Sequence, residues 1–281
     1  MTVLGTGSPM VSATRAGPAA LITYQRRPDS PAHHYLVDAG RWVSLRLEQA
    51  GIPWPHLDAV LFTHHHMDHN VGWSDLLMSG WQMGRAKPWR VFGPPFTSTF
   101  CAATHDAFSY DRQHRPVLQS DEGGRQDVTE ITGAGPVFDE DGLRVTAAVV
   151  PHGDCVPSFA FRFDAPDRSI VISGDCSPSE ALVELAAGAD VLVHEIEHRA
   201  STRAQLEAFG LPEADQERVF AVMAEWHTDE TQLGAIAQAA GVGKLMLTHY
   251  IPDAFDPAAL AAAISSTYTG DLVLSDDLTV G

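Results

Sequence analysis

The sequence predicts an α/β (α+β) fold in which two β-sheets pack face to face beneath outer helices. Short apolar runs rich in β-branched residues recur along the chain, and turn residues separate them. Helical patterns lie between several of these runs. The chain of 281 residues is 44% hydrophobic, which is enough for a large core. This order of elements favours two sheets covered by helices, although by itself it also permits a doubly wound sheet.

Each predicted strand is a short run of apolar, β-branched or aromatic residues bounded by turn residues. In chain order these runs are Thr2 to Leu4, Ala19 to Tyr24, Tyr35 to Val37, Ala59 to Phe62, Trp89 to Phe92, Leu143 to Val150, Phe159 to Phe163, Ser169 to Ile172, Val191 to Val193, Lys244 to Leu247 and Leu272 to Leu274. Each predicted helix carries apolar residues at helical spacing, and the second begins with the helix-start pattern Ser-Pro-Ser-Glu. In chain order the helices are Val43 to Gln49, Ser177 to Ala187, Thr228 to Ala240 and Pro257 to Ser265.

Two stretches fit neither pattern, and both lie between segments that carry candidate site residues. Residues 76–118 mix Gly, Pro, Trp, Phe and His, while residues 196–227 are polar and of helical character. Long connections inside compact domains are often lids, pocket walls or subunit contacts. We therefore expect a single domain over residues 1–281 with pocket-forming insertions at about 76–118 and 196–227. The second insertion is a candidate contact for a homodimer.

The charge balance indicates the kind of substrate. The chain has 36 acidic and 18 basic residues, which gives a formal net charge of -18. A strongly negative surface repels phosphate backbones. We therefore expect a small-molecule substrate and no nucleic-acid partner.

The cysteines and the hydropathy indicate the compartment. The three cysteines cannot all pair and show no CxxC spacing, which argues against a disulfide framework. No stretch approaches the roughly 18 apolar residues that span a membrane, so no membrane association is expected. These features favour a cytoplasmic protein, while a secreted or periplasmic location stays open if an upstream segment is missing.

A metal-binding pattern follows the apolar run that ends at Phe62. Residues 63–69 read Thr-His-His-His-Met-Asp-His, so His64 to His69 form the pattern His-x-His-x-Asp-His. Imidazole nitrogens and carboxylate oxygens suit zinc, iron or manganese. Alternate side chains of an extended segment share a face, so His64 and His66 are expected to face one ion while His65 points away.

Four other apolar runs are followed by a histidine or an acidic residue. These residues are His152, Asp175, the pair His194-Glu195, and His249. If neighbouring strands end at the same edge of a sheet, their side chains converge there, because sites are built on loops at one end of a rigid scaffold. The pattern therefore predicts a metal site assembled from several strand ends.

With these residues in place, the chain resembles the metallo-β-lactamase superfamily, in particular its branch of ribonuclease Z, arylsulfatase-like enzymes and related phosphodiesterases. The motifs that carry the resemblance span nearly the whole chain. They are Leu4-Gly5-Thr6-Gly7-Ser8-Pro9, Val37-Asp38-Ala39-Gly40, the His64 to His69 motif, His152, Ser173-Gly174-Asp175, Gly188-Ala189-Asp190 before His194-Glu195, His227-Thr228 and Thr248-His249. The resemblance implies a four-layer αββα metallo-β-lactamase sandwich with a dinuclear metal site at one edge.

The resemblance also implies a role for each residue of that site. One metal would be bound by His64, His66 and His152, the other by Asp68, His69 and His249, and both by the bridging Asp175. Two Zn²⁺ are implied, with Mn²⁺ or Fe²⁺ as alternatives. A hydroxide held by both metals would attack the substrate, because bound cations lower the pKa of water towards about 7. Asp68 is expected to be a catalytic residue as well as a ligand.

Two further residues are implied to act in catalysis. His227 resembles a histidine that lies outside the metal shell and stabilises developing charge or protonates the leaving oxygen. Glu195 resembles the carboxylate that orients and charges that histidine. Asp38 is expected to hydrogen-bond within the site, because ligating histidines usually donate their other N–H to a carboxylate or carbonyl. His194 and Cys176 are expected to be packed structural residues.

We therefore expect a metal-dependent hydrolase that uses hydroxide held by two metals to cleave a small-molecule phosphodiester or an aryl sulfate ester. A tRNA 3′-processing endonuclease is disfavoured, because the chain lacks a Gly- and Pro-rich basic arm and carries a net charge of -18. A lactonase or carboxylic ester hydrolase on the same two metals is the alternative. An iron-dependent redox enzyme ranks below both.

Overall fold

The computed structural model describes residues 1–115 and 120–281, so the last part of the stretch predicted at 76–118 lies outside the described residues. Within the described residues the strands are β1 Thr2–Gly5, β2 Ala19–Tyr24, β3 His33–Val37, β4 Ala59–Leu61, β5 Trp89–Gly93, β6 Gln126–Glu130, β7 Gly135–Glu140, β8 Leu143–Val150, β9 Ser158–Asp164, β10 Ser169–Ile172, β11 Val191–Glu197, β12 Lys244–Ile251, β13 Asp271–Leu274 and β14 Thr279–Val280. The helices are α1 Val43–Gln49, α2 Met67–Asn70, α3 Trp73–Gln82, α4 Thr97–Ala107, α5 Ser109–His114, α6 Glu180–Leu185, α7 Arg199–Ala208, α8 Glu213–Trp226, α9 Glu230–Ala240 and α10 Pro257–Ser265. Every strand predicted from the sequence is present.

The chain divides into two compact units, each built around one seven-stranded mixed sheet. Unit 1 consists of residues 1–5, 16–132 and 277–280, and unit 2 of residues 6–15, 133–276 and 281.

Unit 1 holds the sheet with strand order β14-β1-β2-β3-β4-β5-β6. The strands from β3 to β6 run parallel, so the loops after β3, β4 and β5 leave the sheet at the same edge. Asp38 follows β3, and the His64 to His69 motif follows β4. The sheet topology therefore positions the first part of the predicted site, with a core around Trp73, Trp89 and Leu36 beneath it.

The stretch at 76–118, which fits neither pattern in the sequence, contains regular structure. It begins inside α3, whose Trp73, Leu76, Leu77 and Trp81 are buried, and it continues through β5, α4 and α5. The buried positions of α3 recur at helical spacing. The helical pattern was missed in the sequence because a boundary at residue 76 separates Trp73 from the residues that share its face.

Unit 2 holds the sheet with strand order β13-β12-β11-β10-β9-β8-β7. The strands from β10 to β13 run parallel, and β8 points the same way as β10 because both are antiparallel to β9. The carboxyl ends of β8, β10, β11 and β12 therefore lie at one edge of this sheet. Those ends carry His152, Asp175, Glu195 and His249.

Two helices of unit 2 begin later than the sequence pattern predicts, and capping side chains explain both starts. The predicted helix from Ser177 begins at Glu180, because the Ser179 side chain accepts a hydrogen bond from the Leu182 N–H. The predicted helix from Thr228 begins at Glu230, where Asp229 forms a capping box with Gln232. Residues 196–227 contain α7 and α8, as their helical character indicated.

No helix in the described parts of the chain combines the length and the apolar composition needed to cross a membrane.

Candidate metal centre and active site

In unit 1, the motif after β4 is organised by the Asp38 carboxylate. The Thr63 N–H and hydroxyl each donate to Asp38 at 2.8 Å, and the His69 Nδ1–H donates to Asp38 Oδ2 at 2.8 Å. Asp38 itself has a positive φ of 60° and is buried. The expectation that Asp38 hydrogen-bonds within the site is confirmed.

The hydrogen bonds of His64 and His69 determine which ring nitrogen carries the proton. Because the Thr63 hydroxyl donates to Asp38, its oxygen accepts from the His64 Nδ1–H at 3.0 Å. The His69 Nδ1–H is likewise used by Asp38. In both rings the lone pair then lies on Nε2, which is the form that ligates a metal. The ring centroids of His64 lie 4.6 Å from His66 and 4.1 Å from His69, so this donor set fits a divalent cation.

His65 makes different contacts. Its Nε2–H donates to Thr97 Oγ1 at 2.8 Å, while its Nδ1 accepts from the Asn70 amide at 3.3 Å. Burial lowers the pKa of His65, so the ring is neutral. Both ring nitrogens are engaged away from the His64 and His66 rings, which agrees with the alternation predicted from the sequence.

In unit 2, Asp175 lies between two predicted metal ligands. Its Oδ2 is 3.2 Å from His249 Nε2 and 3.9 Å from His152 Nε2. The His152 Nδ1–H donates to the Trp226 carbonyl at 2.7 Å, which leaves the lone pair on Nε2. All three residues are buried. Asp175 therefore lies between two imidazole Nε2 atoms, a position that suits a carboxylate binding two metal ions at once.

A backbone irregularity aims His249 at Asp175. In the pairing of β11 with β12, Glu195 opposes Thr248 and Ile196 opposes Tyr250, so His249 is an extra residue in its strand. His249 has a positive φ of 47°. Such bulges reorient a side chain and occur next to active sites.

The predicted catalytic pair is formed in unit 2. The His227 Nδ1–H lies 3.1 Å from each Glu195 carboxylate oxygen, and Glu195 Oε1 also accepts from the Cys176 and Thr228 N–H groups at 3.1 and 3.3 Å. Burial opposes charging of His227, but the negative charge and the hydrogen bond of Glu195 outweigh it and raise the pKa of His227 to about 9. Three potential ligand atoms lie within 4.8 Å of one another, one each from Asp175, His227 and His249. His227 is therefore protonated at neutral pH and close to the predicted ligands of unit 2.

His194 and Cys176 are structural, as expected. His194 is fully buried, its Nδ1–H donates to the Glu195 carbonyl at 2.6 Å, and burial lowers its pKa. Burial raises the pKa of the Cys176 thiol well above its usual value, so it is not a nucleophile at neutral pH.

Two groups that position site residues were missed in the sequence. Thr63 links His64 to Asp38, and its place directly before the first histidine was an available signal. The Trp226 carbonyl orients His152, but a backbone acceptor 74 residues away leaves no trace in residue types.

Glu197 is a buried carboxyl beside the Glu195 and His227 pair. It is 1% exposed, and among the described residues Glu197 Oε1 has no hydrogen-bond partner. Burial raises its pKa to about 7, only partly offset by Arg199. The Glu197 carboxyl therefore binds its proton more tightly in the folded state than in the unfolded state. The stability that this difference provides is fully present below about pH 4.5 and is lost as pH rises through about 7.

We expect Glu197→Gln to raise the free energy of unfolding at pH 8 by about 1–3 kcal/mol and to change it little at pH 4.5, because the amide carries no charge to desolvate. Urea unfolding at both pH values measures this. The exposed Glu207→Gln serves as the control, and an equal gain at both pH values in Glu197→Gln would contradict the explanation.

Comparison with known proteins identifies the family. The family model described as "Beta-lactamase superfamily domain" matches residues 33–250. A protein named ribonuclease Z from Mycobacterium bovis is 35% identical over 90% of this chain and 86% of its own length. Another ribonuclease Z, from Mycobacterium sp. (strain KMS), is 36% identical over 99% of this chain and 94% of its own length.

Solved structures show the same fold. The metallo-β-lactamase fold protein YhfI from Bacillus subtilis has a TM-score of 0.72 at 20% identity, with 99% of this chain and 96% of that chain covered. Human tRNase Z, short form, has a TM-score of 0.71 at 20% identity, with the same coverage. The predicted fold class, the αββα metallo-β-lactamase sandwich, is confirmed.

One prediction is wrong. From the net charge we expect no nucleic-acid partner, yet the relatives with 35–36% identity are named as ribonucleases. Net charge misled because it sums the whole surface, whereas substrate binding depends on local charge. The prediction of a hydrolase is confirmed by the same relatives, while the assignment of the individual ligands stays a prediction. The chain belongs to the metallo-β-lactamase superfamily, in the branch that contains the proteins named ribonuclease Z.

Proposed function

We propose that this protein hydrolyses phosphodiester bonds in RNA. The observation that carries the proposal is the hydrogen-bonded His227 and Glu195 pair, placed beside Asp175 and His249. This arrangement puts a protonated imidazole next to carboxylate and imidazole donors that suit a metal. The relatives named ribonuclease Z support RNA as the substrate.

We propose that the metal ligands are the seven residues expected from the sequence, with two Zn²⁺ as the cofactors and Mn²⁺ or Fe²⁺ as alternatives. These residues are His64, His66, Asp68, His69, His152, Asp175 and His249. Bound divalent cations supply Lewis-acid stabilisation of a phosphoryl oxygen and a water of lowered pKa. The Nδ1 hydrogen bonds of His64, His69 and His152 support this assignment, because they place the lone pair of each ring on Nε2.

The protein groups have separate tasks. Asp38 and the Trp226 carbonyl orient the histidines on which they act. Glu195 holds His227 in its protonated form, and the proposed task of His227 is to donate its Nε2 proton to the leaving oxygen as the P–O bond breaks. Asp68 is proposed as a ligand that also takes part in catalysis, and its Oδ2 lies 3.5 Å from His69 Nε2.

A second candidate function is the hydrolysis of a small-molecule phosphodiester or aryl sulfate ester on the same site. The same hydrogen-bonded His227 and Glu195 pair supports it, because a protonated imidazole beside metal-binding donors can serve the leaving oxygen of any phosphate or sulfate ester. Hydrolysis of a lactone or carboxylic ester on the same donors is the outcome that the substrate panel separates from both candidates.

A substrate panel tests the proposal. The zinc-loaded and manganese-loaded protein is assayed with end-labelled precursor tRNA, an unstructured RNA, bis(p-nitrophenyl) phosphate, p-nitrophenyl sulfate and simple lactones. We expect endonucleolytic cleavage of RNA that is slower by about 10²- to 10⁴-fold in the His227→Ala variant. Turnover restricted to the small phosphodiester or the sulfate would establish the second candidate, and turnover of lactones alone would refute both.

A further inference from the structure

An exposed phenylalanine in a strained conformation lies in unit 1 after β5. Phe96 has φ 87° and ψ -15°, in the left-handed region that favours glycine. Its side chain is 58% exposed. A bulky residue at positive φ costs free energy of folding. Because the Phe96 ring is largely exposed, burial of apolar surface does not offset that cost. Such outliers cluster at functional sites.

The surrounding contacts hold the Phe96 backbone in place. The Ser98 N–H donates to Glu130 Oε1 at 2.9 Å. The Thr97 N–H and hydroxyl both donate to the Pro94 carbonyl, at 3.1 and 2.6 Å. These hydrogen bonds therefore hold the turn in its strained conformation.

The same turn is tied to the metal-binding motif of unit 1. Thr97 Oγ1 accepts from the His65 Nε2–H at 2.8 Å, and the His65 ring meets the Phe96 ring edge-to-face at 5.6 Å. His65 stands between two proposed ligands, His64 and His66. Because β4 and β5 are parallel neighbours, the motif and Phe96 leave the sheet at the same edge. The exposed ring thus borders the motif.

A role in the hydrophobic core does not explain the aromatic side chain at position 96, because other aromatic residues fill the core beside it. Phe62 packs edge-to-face against Phe100 at 5.9 Å and is fully buried. Trp42 provides a comparison, since it also has a positive φ, 67°, and is 41% exposed. In the described part of the chain, no ring contact joins Trp42 to the motif.

We propose that Phe96 is a stacking platform for a nucleobase of the substrate beside the metal-binding motif. The inference rests on the proposed RNA substrate. Exposed aromatic rings stack on bases irrespective of sequence, because every base offers a π-face. The Glu130 and Thr97 contacts fix the backbone that carries the ring before the substrate binds, so little conformational entropy is lost on binding.

The test uses Phe96→Gly, Phe96→Trp and Trp42→Gly in the metal-loaded protein. Fluorescence anisotropy with a labelled single-stranded RNA in the His227→Ala background measures the Kd without turnover. We expect Phe96→Gly to weaken RNA binding by about fivefold to 100-fold, and Phe96→Trp to bind as tightly as Phe96 or more tightly. Relief of strain should raise the melting temperature of Phe96→Gly by about 2–4 °C.

Trp42→Gly is the matched control. It should gain thermal stability to a similar extent and keep its RNA affinity. Unchanged RNA binding by Phe96→Gly would overturn the inference, as would a fall in its melting temperature. If the parent protein neither binds nor cleaves RNA, the proposed function fails instead, which separates the two failures.

Discussion

Replacing Asp175 with alanine is expected to reduce the bound metal and to lower kcat by more than about 100-fold. Loss of a residue that merely supports a ligand costs about 10- to 100-fold in metal affinity or activity, and loss of a direct ligand should cost more. Asp175 Oδ2 faces the Nε2 atoms of His249 and His152. Its removal would therefore take away the negative charge of the proposed metal site next to both imidazoles.

Metal analysis of the purified variant, together with its turnover of the best substrate, measures the effect. Asp190→Ala is a suitable control, because the Asp190 carboxylate serves a structural purpose and accepts from the Ser169 N–H and hydroxyl at 2.7 and 2.9 Å. The control should lose stability and keep its metal. An Asp175→Ala protein with the full metal content of the parent would contradict the bridging assignment.

Replacing His227 with alanine is expected to lower kcat by about 10²- to 10⁴-fold while the metal content stays unchanged. This is the range for loss of a positioned general acid. Because the pKa of His227 is raised to about 9, the residue is protonated below that pH and loses its proton above it. The parent protein should therefore lose activity as pH rises through about 9, and His227→Ala should lack this descending limb.

Glu195→Gln supplies the matched variant for this prediction. It removes the charge that raises the pKa of His227, so the descending limb of the pH profile should move to lower pH. A pH series of kcat, with metal analysis of every variant, tests both changes. Metal loss in His227→Ala would instead place His227 among the ligands, which its proximity to Asp175 and His249 permits geometrically.

The sequence predicted the fold and the candidate site from two kinds of signal. Apolar β-branched runs marked the strands, because strand formation in a core depends on local residue types. Histidines and acidic residues at five strand ends marked the site, because parallel strands finish at a common edge. The expected absence of a nucleic-acid partner was wrong, since net charge describes the whole surface and the relatives with 35–36% identity are named ribonuclease Z.

The sequence by itself determined which residue types stand at the strand ends and therefore which chemistry is available. Only the tertiary structure decided how those residues are held. The proton on His152 is placed by the Trp226 carbonyl, His249 is aimed by a bulge, and the turn after Phe96 is held by a hydrogen bond from Ser98 to Glu130. The physical reason is that these arrangements depend on backbone groups and register between distant segments, and neither is encoded in the spacing of side chains along the chain.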